Sequence, residues 1–131
     1  MLPPRSESPY KSLGGIRRIF KAAGYSVLGF KAAWRFEAAF RQELALAVLM
    51  IPAAFFLGRS LVETLLLLAV VIAVLVVELL NSALEALADA ISLDTHPLLG
   101  RAKDIGSAAV MLTLLFAGAV WASVLISRFW V

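Results

Sequence analysis

The chain has 131 residues, no cysteine and a formal net charge of +3, and 62% of its residues are hydrophobic. A soluble domain of this length is nearer half apolar, so the excess, gathered into long runs, points to one small integral membrane domain. Without cysteine, a disulfide framework and a thiolate metal site are both excluded.

Met1 to Ser12 is polar and carries Pro3, Pro4 and Pro9 with no apolar h-region. It reads as a disordered tail rather than a signal peptide. From there Ile16, Ile19, Phe20, Ala23, Val27 and Phe30 recur at helical spacing, while Arg17, Arg18, Lys21 and Lys31 fall largely off that stripe. The pattern predicts a basic amphipathic helix over 13–33, lying on the cytoplasmic membrane surface, with Gly24 and Gly29 as weak points. The first span is predicted over 38–57, kinked at Pro52, and Gly58-Arg59-Ser60 forms the outer turn. The second span runs over 64–87. The connection from Asp89 to Lys103 contains Pro97 and Gly100, which are expected to break any helix. The third span runs over 105–126, with Trp121 and Trp130 as anchors at its outer end and Gly106, Ser107, Ala108, Ala109 and Gly118 allowing close packing. The fold class is an all-α membrane protein with three transmembrane helices and an N-terminal surface helix, residues 13–131 making one domain.

Basic residues are placed unevenly. Of twelve Lys and Arg, eight precede Leu44, one (Arg59) lies in the first connection, two (Arg101 and Lys103) in the second, and Arg128 at the end. By the positive-inside rule the N-terminus and second connection are cytoplasmic, and the first connection and C-terminus are outside. The basic N-terminus suits anionic lipid and nucleotide phosphates better than nucleic acid.

Glu78, Asn81, Glu85 and Asp89 interrupt the second apolar run at spacings i, i+3, i+7 and i+11, which puts them on one helix face. Lipid penalises isolated carboxylates, so such residues face a bundle interior and mark function, or else hydrogen-bond between helices. Glu85 lies near the interface and Glu78 about 10 Å deeper, at 1.5 Å per residue. Glu37 could pair with Arg41 four residues on, or complete a metal site with Glu85 across helices. His96, Lys103 and Asp104 lie in the cytoplasmic connection. There they could be a solvated histidine, a topology-setting charge and a helix cap, or nucleotide contacts. No phosphate loop, dinucleotide fingerprint or protein-kinase catalytic loop is present.

Lys21-Ala22-Ala23-Gly24-Tyr25-Ser26, Ala32-Ala33-Trp34 and Glu37-Ala38-Ala39-Phe40-Arg41-Gln42-Glu43 resemble the prokaryotic diacylglycerol kinases. So do Val77-Glu78-Leu79-Leu80-Asn81-Ser82-Ala83-Leu84-Glu85-Ala86 and the run from Gly100-Arg101-Ala102-Lys103-Asp104 to Val110. The resemblance extends from about Ile16 to the C-terminus. Asp94-Thr95-His96-Pro97 departs from it in lacking an aromatic before the histidine, and Ser92 stands where relatives often have glycine.

The resemblance implies a homotrimer in the bacterial inner membrane with composite active sites between subunits, transferring phosphate from ATP to 1,2-diacylglycerol with Mg²⁺. It implies Glu78 as catalytic base and Glu37 and Glu85 as metal ligands that also contact ATP. Arg18, Tyr25, Asp94, Thr95, His96, Lys103 and Asp104 fall at ATP-contacting positions. Ala23, Ser26, Trp34, Glu43, Asn81 and Ser107 fall at lipid-substrate positions. Undecaprenol phosphorylation on the same scaffold is the nearest rival activity. A small proton-coupled transporter is the rival from another class, since membrane carboxylates suit it equally.

Overall fold

The computed structural model describes residues 14–131; the predicted disordered tail over 1–12 lies outside the described residues. Four helices follow one another: α1 (Gly15–Phe36), α2 (Ala38–Leu57), α3 (Leu61–Ile91) and α4 (Pro97–Phe129). The last three are each long and apolar enough to cross a membrane, so the protein is a multi-pass, all-α membrane protein.

α1 continues through Gly24 and Gly29 without interruption and ends only at Phe36. Its apolar stripe is left uncovered: Ile16, Ile19, Phe20, Val27 and Phe30 are exposed, and Ala33 is the one buried residue among those described in this helix. The chain then turns on a single residue. Glu37 adopts extended backbone (φ −113°, ψ 104°) and serves at once as C-cap of α1 and N-cap of α2. Its N–H donates to the Ala33 carbonyl at 2.9 Å. The Arg41 guanidinium donates to the carbonyls of Trp34 (2.7 Å) and Arg35 (3.2 Å). Arg41 therefore satisfies orphan acceptors at the end of α1, and the alternative in which it pairs with Glu37 is not the one adopted.

α2 keeps Pro52 inside a continuous helix and stops at Gly58. A Cβ at Gly58 would run into Thr64 Oγ1 and come within 3.0 Å of the Ala54 carbonyl oxygen, so only glycine fits this turn. Ser60 then caps α3, its hydroxyl accepting from Glu63 N–H at 3.1 Å.

The connection between α3 and α4 is shorter than the 89–103 stretch expected from the sequence. α3 runs on to Ile91 and α4 begins at Pro97. Proline lacks only an N–H that the first turn would leave unbonded. The His96 imidazole Nδ1 accepts from Leu98 N–H at 3.2 Å and caps the helix. Gly100 is thus helical, and Asp104 lies inside α4, not at its start.

The most extensive contact is α3 with α4, followed by α2 with α3. The shared core is Ala47, Ala54, Leu67, Val70, Val71, Val74, Ala117, Trp121 and Val124. Trp121 corrects a further expectation. Its indole is buried and donates to the Leu67 carbonyl at 3.3 Å, so it locks α4 to α3 instead of standing at the membrane boundary. Of the small residues expected to mediate packing in α4, Gly106 is buried within the chain, while Ser107, Ala108, Ala109 and Gly118 are exposed. The outer faces of α2, α3 and α4 are lined by exposed Leu, Ile, Val and Phe, as contact with hydrocarbon requires.

Candidate active site

α3 positions the acidic face. Glu78 is buried, with 5% of its surface exposed, and its neighbours Asn81 and Glu85 are half-buried one and two turns further on. Asn81 Nδ2 donates to Glu85 Oε1 at 3.4 Å. The elbow at Glu37 and the first turns of α2 bring two further carboxylates alongside. Glu78 lies within Coulombic reach of Glu37, Glu43 and Glu85. Four carboxylates and one amide, from the Glu37 elbow, α2 and α3, therefore lie toward the same end of the bundle.

Three buried oxygens on these stretches of α2 and α3 are spare. Glu43 Oε2, Asn81 Oδ1 and Ser82 Oγ are buried without a hydrogen-bond partner among the described residues. Buried polar groups are otherwise almost always paired, so such a cluster is a place for something to bind. Sequence reasoning passes over Ser82. Its only signal is its position one turn after Glu78 on the same helix.

Asp89, the fourth member of the sequence stripe, has a different role. Its carboxylate holds the Lys103 ammonium at 2.6 Å, tying α3 to α4. Among the described residues no three His, Asp or Glu side chains gather tightly enough to hold a metal by themselves. Two carboxylates such as Glu37 and Glu85 would supply only part of the oxygen shell of an ion that finds the remainder elsewhere.

A cleft of about 550 Å³ opens between α1 and α3, lined mainly by apolar groups, with Ser26, Glu37 and Ser82 as its polar members. Ser26 Oγ donates to its own helix, at the Ala22 carbonyl, 3.0 Å away. Trp34 lines a second cleft, with Lys31, Arg35, Phe40 and Arg41. The remaining positions stand outside this convergence. Arg18 and Ala23 are exposed on α1, and Tyr25 is 39% exposed there. Asp94, Thr95 and His96 lie in the α3–α4 turn, where Asp94 N–H donates to Ser92 Oγ at 3.1 Å. Asp104 and Ser107 are exposed on α4.

Residues 24–125 match the family model described as prokaryotic diacylglycerol kinase. The chain belongs to that family. It is 50% identical to the diacylglycerol kinase of Pseudomonas aeruginosa over 121 residues, covering 92% of this chain and 98% of the relative. It is 47% identical to the diacylglycerol kinase of Escherichia coli K12 over 115 residues, 88% of this chain and 94% of that one. A more distant diacylglycerol kinase, from Helicobacter pylori, is 37% identical over 128 residues, or 98% of this chain and 94% of the relative. The family match takes in all four converging carboxylates, Asn81, Ser82 and the α3–α4 turn; Arg18 and Ala23 precede it.

Proposed function

We propose that the chain transfers the γ-phosphate of ATP to 1,2-diacylglycerol, yielding phosphatidic acid and ADP, at the cytoplasmic face of the bacterial inner membrane. Two observations support this together: membership of the prokaryotic diacylglycerol kinase family, and a glutamate buried inside a membrane-spanning helix with three more carboxylates within electrostatic reach.

Glu78 is the base. It takes the proton from the lipid's primary hydroxyl while that oxygen bonds the γ-phosphorus and the bond to the bridging oxygen of ADP breaks. Burial keeps water from competing as acceptor. Asn81 orients Glu85 through its amide. The oxygen-only donor set suits a hard divalent cation better than a soft one. Glu37 and Glu85 would hold Mg²⁺, which when bound offsets charge on the β- and γ-phosphates. Arg18, Tyr25, Asp94, Thr95, His96, Lys103 and Asp104 make the nucleotide side. Ala23, Ser26, Trp34, Glu43 and Ser107 make the lipid side, with the α1–α3 cleft admitting the acyl chains laterally. His96 keeps Nε2 for this purpose, since capping occupies only Nδ1.

The N-terminus is cytoplasmic and the C-terminus periplasmic, a reading supported by the bias of Lys and Arg toward the N-terminal side. The active unit is a homotrimer with composite sites. Four carboxylates on a single chain leave a polar edge that a second and third copy would shield from lipid.

Purified protein in mixed micelles, offered diacylglycerol and undecaprenol in parallel with ATP and Mg²⁺, tests the proposal. Faster phosphorylation of diacylglycerol is expected. Preference for undecaprenol reassigns the acceptor, and no transfer to either lipid from folded protein overturns the kinase reading.

A further inference from the structure

Gly106 is buried where α4 crosses α3. A Cβ built on it would fall on Asn81 Oδ1, 3.3 Å from Asn81 Cγ, with Leu84 Cδ2 at an ordinary 3.8 Å. The atom in the way is therefore one side-chain oxygen and not backbone. It is also one of the buried oxygens without a hydrogen-bond partner among the described residues. The other end of the same amide donates to Glu85. Asn81 has only two side-chain torsions, so moving Oδ1 off an added methyl also turns Nδ2 away from Glu85.

From this we infer that Gly106 is a positioning residue for the active site: its bare Cα fixes the Asn81 amide, and through that amide the orientation of Glu85. The inference rests on the proposed kinase reading for its kinetic consequence, but the contact itself does not. The small size of Gly106 thus matters to the chemistry and not only to helix packing. A methyl there can be accommodated by turning Asn81, which spares the fold and disturbs the site.

The test is a double-mutant cycle between Gly106→Ala and Asn81→Ala in full-length protein, read in three ways. The first is the Mg²⁺ and ATP dependence of lipid phosphorylation, the second the thermal midpoint in micelles, and the third the side-chain amide resonance of Asn81 in protein labelled at asparagine. Gly106→Ala alone is expected to move the Asn81 amide resonance and to lower kcat/KM about tenfold, with the loss concentrated in the Mg²⁺ dependence and not in KM for lipid. In the Asn81→Ala background the same methyl meets no oxygen, so it should cost about twofold or less and leave the midpoint unchanged. An unmoved amide resonance in Gly106→Ala overturns the inference. So does an equal loss of midpoint and activity in both backgrounds, which would mean that Gly106 acts through packing alone. If the wild-type protein phosphorylates no lipid, the kinase reading fails. The resonance and the midpoint cycle still decide the Gly106–Asn81 contact.

Discussion

The Lys103 ammonium and the Asp89 carboxylate meet at 2.6 Å, joining the last turns of α3 to the second turn of α4. Both side chains are nearly half exposed, so water screens the pair and it adds little to stability. Its removal therefore separates two roles for Lys103. Asp89→Asn should leave the thermal midpoint and ATP kinetics close to wild type. Lys103→Ala should raise KM for ATP about tenfold through loss of a phosphate contact. Equal effects of the two substitutions would make Lys103 a structural tie and remove it from the nucleotide site.

Glu78→Gln keeps the volume of the side chain and removes its ability to accept a proton. Turnover is expected to fall by about 10²–10⁴-fold, with helical circular dichroism and oligomeric state unchanged. Wild-type-like rates would eliminate Glu78 as the base.

Arg41→Lys tests the elbow. Both bonds to the Trp34 and Arg35 carbonyls leave one guanidinium nitrogen, Nη1, and the shorter lysine stem does not carry its ammonium to that point. About 1 kcal/mol of hydrogen bonding is lost, and Glu37, four residues away on the other side of the turn, becomes less firmly placed. The Mg²⁺ concentration for half-maximal turnover should rise several-fold while kcat at saturation stays near wild type. An unchanged Mg²⁺ titration would separate the elbow from the metal site.

Gly58→Ala places a methyl against Thr64 Oγ1 and the Ala54 carbonyl, at the opposite end of the bundle from the carboxylates. Thr64 is buried and the carbonyl belongs to the backbone, so neither yields easily. A loss of about 1–3 kcal/mol is expected, seen as a lower thermal midpoint in micelles, with specific activity retained below the transition. A midpoint equal to wild type would show that this turn relaxes freely.

The acidic face is legible in the sequence because hydrocarbon makes its signal stark. Glu78, Asn81 and Glu85 stand out in a run of Leu and Val, and their spacing alone puts them together. Three other features depend on partners that spacing does not reveal. Pro97 has the character of a helix breaker, yet His96 supplies the cap that turns it into a first helical residue. Trp121 has the character of an interfacial anchor, but the Leu67 carbonyl, 54 residues earlier in the chain, claims its N–H. Arg41 has Glu37 at ideal helical spacing, yet the helix starts between them and the guanidinium turns to the carbonyls of α1 instead. Ser82 gives no signal beyond its place one turn after Glu78, because serine is ordinary in a helix until its burial is known.

α3 and α4 contain 31 and 33 residues, roughly 46 and 50 Å of helix at 1.5 Å per residue. The hydrocarbon slab is about 30 Å thick, so each helix overshoots it by several turns. On the proposed topology part of this surplus stands among the headgroups at the carboxylate end, as a stub capped by the turn from Ser92 to His96. A water-soluble donor can dock on that stub from the side of the cell interior, and an oil-soluble acceptor can slide to its base within the leaflet. Neither molecule has to change phase for the two to meet.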